Sequence, residues 1–174
     1  SVDGLICSKD KKTLVQYPLG NTRTTFTIPD FVTKIVVSAF QGSKNIKKLV
    51  IPGNVTNVSE KAFANCSNLG TVTLPDNFKE ISNYAFSGCS KLKSINFPTT
   101  LKDIGYNAFY NCASLSGISL NNGLKDIGEG AFKSCKGLTS VTIPNSVTEL
   151  RESAFQNCTK LKSVKLSGNI ERIT

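Results

Sequence analysis

Apolar residues return along this chain in one fixed rhythm. An Ala-Phe pair stands at Ala39-Phe40, Ala62-Phe63, Ala85-Phe86, Ala108-Phe109, Ala131-Phe132 and Ala154-Phe155, so one constant period runs through the chain without insertion or deletion. Self-similarity at such a period marks a solenoid, in which each coil buries its apolar side against its neighbours. The spacing predicts six or so coils, more than the minimum of about three that an array needs.

Within one coil the pattern predicts three parts. The first is a strand such as 69–74, with Val72 and Leu74 two apart and so on one face. Its equivalents carry Leu49/Ile51, Ile95/Phe97, Ile118/Leu120, Val141/Ile143 and Val164/Leu166. Pro52, Pro75, Pro98 and Pro144 close four of these strands, as suits a residue that cannot donate to a ladder, while Asn121 and Ser167 replace it in two. The second part is an apolar pair three apart, from Val32/Ile35 through Val55/Val58, Phe78/Ile81, Leu101/Ile104, Leu124/Ile127 and Val147/Leu150 to Ile170/Ile173. It reads as a short extended segment on the opposite wall. The third is one or two helical turns around Ala-Phe, ending at Gly42, Asn65, Gly88, Asn111, Ser134 and Asn157. Gly and Asn are the residues that take the left-handed conformation at a helix end. The fold class is therefore an α/β, β-rich solenoid with a parallel sheet on one wall and short helical turns on the other.

Residues 1–27 stand largely outside the repeat and read as a capping segment, with two short strands at 4–7 and 13–17 around a polar turn. The repeat array occupies 28–174 and stops in mid-repeat at Ile173-Thr174, so a continuation in the natural protein is expected. Methionine is absent, so Ser1 is not expected to be the natural start, and a signal peptide, longer leader or upstream domain is expected before it.

Composition adds little to this picture. Hydrophobic residues make up 39% and charged residues 19% of the chain, as in an ordered, soluble protein. No run approaches the ~18 apolar residues of a membrane helix, so no membrane insertion of this segment is expected. The formal charge of +9 is spread over the repeats and acts first as a solubility device.

Candidate chemistry recurs with the period. Cys66, Cys89, Cys112, Cys135 and Cys158 stand one period apart, with Ser43 at the sixth site. They read as a ladder of small buried side chains. Zinc ligands need short spacings and usually histidine, and the chain has no histidine. No metal or cofactor is therefore assigned. Asn54, Asn57, Asn65 and Asn157 head Asn-X-Ser/Thr sequences, which matter only in a secretory host that glycosylates. Glu80, Asp103, Asp126 and Glu149 share one repeat position, preceded by Lys79, Lys102 and Lys125 in the first three, whose charges are expected to compensate the stacked carboxylates. No Asp-rich loop with calcium-ligand spacing accompanies them.

Two surfaces stand out as interaction candidates. The outward positions of the strand wall include Thr71, Thr73, Ser94, Asn96, Ser119, Ser140, Thr142, Ser163 and Lys165, a small hydroxylated face without aromatic anchors. Lys44, Lys47, Lys91, Lys93, Lys136, Lys160 and Lys162 fall between the Ala-Phe segment and the strand, on one edge, which suits a polyanion such as a glycosaminoglycan. Nucleic acid is not expected as a partner, because no stacking aromatics interleave with these lysines. Catalysis has no support either: every candidate residue recurs from coil to coil, whereas an active site is a unique constellation.

The unit Cys-x-x-Leu-x-x-Val-x-Ile-Pro-x-x-Val-x-x-Leu-x-x-x-Ala-Phe, from Cys135 through Phe155, resembles the BspA-like, or Treponema pallidum-type, leucine-rich repeat. The opening 2–18 is similar to a segment that this family carries beside its arrays. The resemblance implies a right-handed leucine-rich-repeat horseshoe and a non-enzymatic protein at the cell surface or secreted. It also implies adhesion to host extracellular-matrix proteins, host cells or other microbes, with a part in host–microbe interaction and virulence. A spacer that displays another domain, and a glycosaminoglycan-binding module, are the alternatives. The family has no shared catalytic residues to carry over.

Overall fold

The structure, a computed structural model, describes residues 4–166 and 168–173. Ser167, Val2, Asp3 and Thr174, which entered the sequence reading, lie outside the described residues. The chain winds into a β-solenoid of about seven turns. One wall carries the strands expected at the start of each coil: β3 (Thr25–Thr27), β5 (Lys48–Val50), β7 (Thr71–Thr73) and β9 (Ser94–Ile95) in one parallel sheet, then β12 (Ser140–Thr142) and β14 (Ser163–Lys165) in a second. Paired residues stand one repeat period apart, as in Leu49↔Val72↔Ile95 and Val141↔Val164. The repeat period and the ladder register coincide, so equivalent side chains stack.

The opposite wall is a sheet in its own right. Strand β4 (Lys34–Ile35) precedes a six-stranded parallel sheet of β6 (Asn57–Val58), β8 (Glu80–Ile81), β10 (Asp103–Ile104), β11 (Asp126–Ile127), β13 (Glu149–Leu150) and β15 (Arg172–Ile173). The second residue of the apolar pair points inward through the first five pairs, where Ile35, Val58, Ile81, Ile104 and Ile127 are buried, while Leu150 is half-buried and Ile173 exposed. At the start of the chain, β1 (Ile6–Cys7) and β2 (Thr13–Gln16) form an antiparallel hairpin, and β2 lies parallel to β4. The hairpin closes the first coil with Leu5, Leu14 and Tyr17, all buried.

The Ala-Phe segments are not helical, and no helix forms among the described residues. This corrects the α/β reading to all-β. The cause lies in where the amides go. In an α-helix every N–H bonds back four residues. Here alternate amides bond back three, as Gln41 to Ser38 and Ser43 to Phe40 do. The intervening amides of Ser38, Phe40 and Gly42 donate instead to the next coil's Glu60, Ala62 and Ala64 carbonyls. Left-handed residues at both ends of the segment turn the amides outward. The residue before each Cys position takes positive φ as expected (Gly42 75°, Asn65 59°, Asn111 58°), although it ends a turn rather than a helix. A second left-handed residue precedes each Ala, at Ser38, Lys61, Tyr84, Asn107, Gly130 and Ser153. It is invisible in sequence because no one residue type marks that position from coil to coil.

The interior is a stack of columns. Tyr17 from the cap begins an aromatic column that continues through Phe40, Phe63, Phe86, Phe109, Phe132 and Phe155, with successive centroids 4.9–5.5 Å apart. From Phe63 on, the rings are parallel within 9°, a geometry in which each pair adds about 0.5–1.5 kcal/mol to area burial.

Candidate functional site

With the interior given over to packing, the surfaces carry whatever function there is. On the strand wall the pleat sends alternate residues outward. Thr71 and Thr73 of β7, Ser94 of β9, Ser140 and Thr142 of β12, and Ser163 and Lys165 of β14 are exposed, while Val72, Ile95 and Val141 between them are buried. A shallow depression of 570 Å³ opens on this face beside Lys48, Thr71, Thr73, Ser94 and Asn96. Two of the nine candidates differ from the rest. Ser119 is exposed but belongs to no strand. Asn96 turns its side-chain amide onto the backbone of the preceding coil, accepting from Leu74 N–H at 2.8 Å and donating to Leu74 C=O at 3.0 Å. It is a strut rather than a free contact group.

The seven lysines of the edge, Lys44, Lys47, Lys91, Lys93, Lys136, Lys160 and Lys162, are all exposed. Lys91 Nζ donates to Asn68 Oδ1 at 2.7 Å, and Asn68 donates in turn to the Lys44 carbonyl, also at 2.7 Å. Among the described residues the ion pairs are Lys61–Glu60 and Arg151–Asp126, so none of the seven is neutralised by a carboxylate.

On the second wall Glu80, Asp103 and Asp126 stand in direct register. The Asp103 carboxyl is held above its usual range, first by partial burial and then by the charges of Asp126 and Glu80. Lys102 offsets part of this rise at Asp103, and Arg151 adds a pairing with Asp126, its Nε and Nη2 donating to the two Asp126 oxygens at 2.9 and 2.8 Å. Beside them lies a groove of 260 Å³ lined by Asn83, Asp103, Tyr106, Asp126, Glu129 and Arg151. Sequence reasoning missed the tyrosines here. Tyr84 and Tyr106 meet edge to face at 5.1 Å, and Lys61 Nζ sits 5.3 Å above the Tyr84 ring. Their signal was a departure from the repeat, since other coils place no aromatic ring at those positions.

The cysteine ladder belongs to the core. Each thiol from Cys66 to Cys158 is buried and donates to the carbonyl of the phenylalanine 26 residues earlier, at 3.1–3.2 Å. Burial pushes the Cys89, Cys112, Cys135 and Cys158 thiols up. A neutral buried thiol is a poor nucleophile and a poor metal ligand. The Asn54 side-chain amide is spent on the Asp30 carbonyl, whereas Asn57 is exposed on β6.

A parallel-stranded solenoid with short strands on two walls and an Ala-Phe turn on the third is the architecture of a leucine-rich-repeat protein. The family described as the BspA-type leucine-rich-repeat region matches residues 20–116 and 86–174, with six copies, and the chain belongs to that family. Among solved structures, the leucine-rich-repeat protein of Treponema pallidum superposes with a TM-score of 0.88 at 29% identity, covering 99% of this chain and 84% of that one. A leucine-rich-repeat protein from Eubacterium ventriosum gives 0.89 at 29% identity, covering 98% of this chain and 46% of its own. A leucine-rich cell surface protein from Faecalibacterium prausnitzii gives 0.62 at 28% identity, covering 94% and 38%. This chain thus spans less than half the length of the latter two. No curated protein matches the sequence. Repeats of this family generally serve protein–protein interaction and are typically non-catalytic. Among the described residues no helix is long and apolar enough to cross a membrane.

Proposed function

We propose that this chain is a non-enzymatic adhesion module, displayed at a cell surface or secreted, that engages surface or extracellular-matrix proteins of a host or of other microbes. The observation that carries this reading is the strand wall. Exposed Thr71, Thr73, Ser94, Ser140, Thr142 and Ser163 repeat at the coil pitch over an interior committed to packing. The likeness to a cell surface protein of Faecalibacterium prausnitzii supports the location. Binding to immobilised fibronectin, fibrinogen and epithelial cells tests it. Replacing Thr71, Thr73 and Thr142 by Arg lowers binding at least tenfold if the wall is the contact, and failure to bind any matrix protein or cell refutes the proposal.

A second reading rests on the unneutralised lysine edge, which suits a sulfated glycan. Surface cation contacts weaken as salt rises, so heparin retention is expected to fall with ionic strength and with Lys91→Glu, Lys93→Glu, Lys160→Glu and Lys162→Glu together. Retention unchanged by those four substitutions removes the edge as the cause.

A further inference from the structure

We propose that the strand wall is jointed at Gly117–Leu120 and that Phe97 is the wedge holding the joint open. Across the rest of this wall, coils are tied by main-chain bonds at fixed places. Ile28, Ile51 and Ile143 amides donate to the Val50, Thr73 and Lys165 carbonyls of the following coil at 2.9–3.0 Å. At the fifth coil this pattern stops. Strands β9 and β12 belong to separate sheets, and the intervening residues 117–120 belong to neither. Among the described residues the main-chain ties to the fourth coil just before this stretch are Ser114 N–H to Ser90 C=O at 3.0 Å and Ser116 N–H to Lys93 C=O at a long 3.4 Å. One coil earlier, the Leu74 amide already takes the Asn96 side chain in place of a main-chain carbonyl.

The cause is a size mismatch inside. Ile51, Leu74 and Ile143 fill one interior position in their coils and are buried, each 2% exposed. Phe97, too large to be fully enclosed and itself half-buried, holds that position in the fourth coil. It leans forward, with its ring 5.7 Å from Phe109, the aromatic rung of its own coil, and 6.5 Å from Phe132, the rung of the next. It thereby reaches into the space Leu120 would fill. Both Leu120 and Ile118 are only half-buried, whereas Leu49, Val72, Ile95 and Val141, equivalent to Ile118, are buried. Overpacking of a close-packed interior moves the backbone rather than compressing the core.

The other walls do not yield with it. The fourth coil, which carries Phe97, is bonded to its neighbours through Lys102, Gly105, Asn107, Phe109 and Asn111 amides at 2.7–2.9 Å. Its second wall is tight enough that a Cβ on Gly128 would lie 2.6 Å from the Gly105 carbonyl carbon. A wall broken on one side and closed on the other is a hinge whose leaf is the six-stranded sheet. The plates β3-β5-β7-β9 and β12-β14 tilt about that sheet, so the curvature of the strand face adjusts. This property does not depend on the adhesion reading.

Hydrogen exchange on the whole chain, read by mass spectrometry, tests both parts. Amides of Gly117–Leu120 are expected to exchange at least roughly tenfold faster than those of Gly105, Asn107, Phe109 and Asn111 on the closed side of the preceding coil. Phe97→Leu is expected to slow 117–120 by a similar factor while leaving 105–111 unchanged. Equal protection of the two sets in the parent protein overturns the joint, whatever the variant does. Fast exchange at 117–120 that persists in Phe97→Leu overturns the wedge.

Discussion

Raising the pH from 8 to 10 attacks this fold through its cysteine ladder. Cys89, Cys112 and Cys135 are fully buried, and desolvation pushes each thiol up from the ordinary value of 9.0. A group whose folded pKa is raised contributes stability that is present below the unfolded value and lost as pH climbs toward the folded one. Above pH 9 the unfolded chain releases thiol protons that the folded chain keeps, so each pH step favours unfolding. One unit above the unfolded value, linkage amounts to about 1.4 kcal/mol per protected thiol. Three such thiols lose about 4 kcal/mol at pH 10, a large share of the roughly 5–15 kcal/mol that holds a typical domain together. Urea unfolding at pH 8, 9 and 10 in a phosphine reductant measures the loss directly. Tyr17, also pushed up by burial from the ordinary 10.0, adds a loss of the same sign only at the top of this window, and that loss is common to the parent and the cysteine variant. A Cys89→Ala, Cys112→Ala, Cys135→Ala variant starts from a lower baseline, but its loss between pH 8 and 10 is expected to be about 4 kcal/mol smaller. An unchanged loss in that variant refutes the thiol origin.

Further outcomes follow from the packing. Gly128→Ala meets backbone atoms of Gly105 and Tyr106 at 2.6–2.7 Å and is expected to cost about 2–3 kcal/mol in urea unfolding. Gly88→Ala, at φ +75° with its Cβ driven against Asn65 Oδ1, is expected to cost about 1–2 kcal/mol, and Asn65→Gly in the same chain recovers part of that. Phe86→Ala, removing a rung stacked at 5.3 and 5.5 Å, is expected to cost about 3–5 kcal/mol by thermal or urea unfolding. Arg151→Ala, by contrast, breaks an ion pair whose side chains are 47% and 38% exposed and is expected to cost at most about 1 kcal/mol, less in high salt.

Much of the coil is legible because the period locks residues into columns. The Ala-Phe pair, the Cys position and the Gly/Asn before it announce the aromatic column, the thiol ladder and the left-handed turn, each read from residue type at one spacing. The turn around Ala-Phe reads as helix because its local bonds, three residues back, imitate a helical turn. The deciding bonds join one coil to the next, as Phe40 to Ala62 does, and no local window contains them. The candidate faces are legible as exposed positions through strand alternation. That Asn96 is a strut, and that Arg151 rather than a lysine faces Asp126, depends on where long polar side chains turn across coils.

From its residue order alone, this chain could be known as a coil of constant length with named interior columns, because stacking in register makes period and contact the same fact. The break at Gly117–Leu120, the second sheet and the tight glycine wall emerge only when coils press on one another. There the size of Phe97 and the missing Cβ atoms of Gly105 and Gly128 settle which wall closes and which opens.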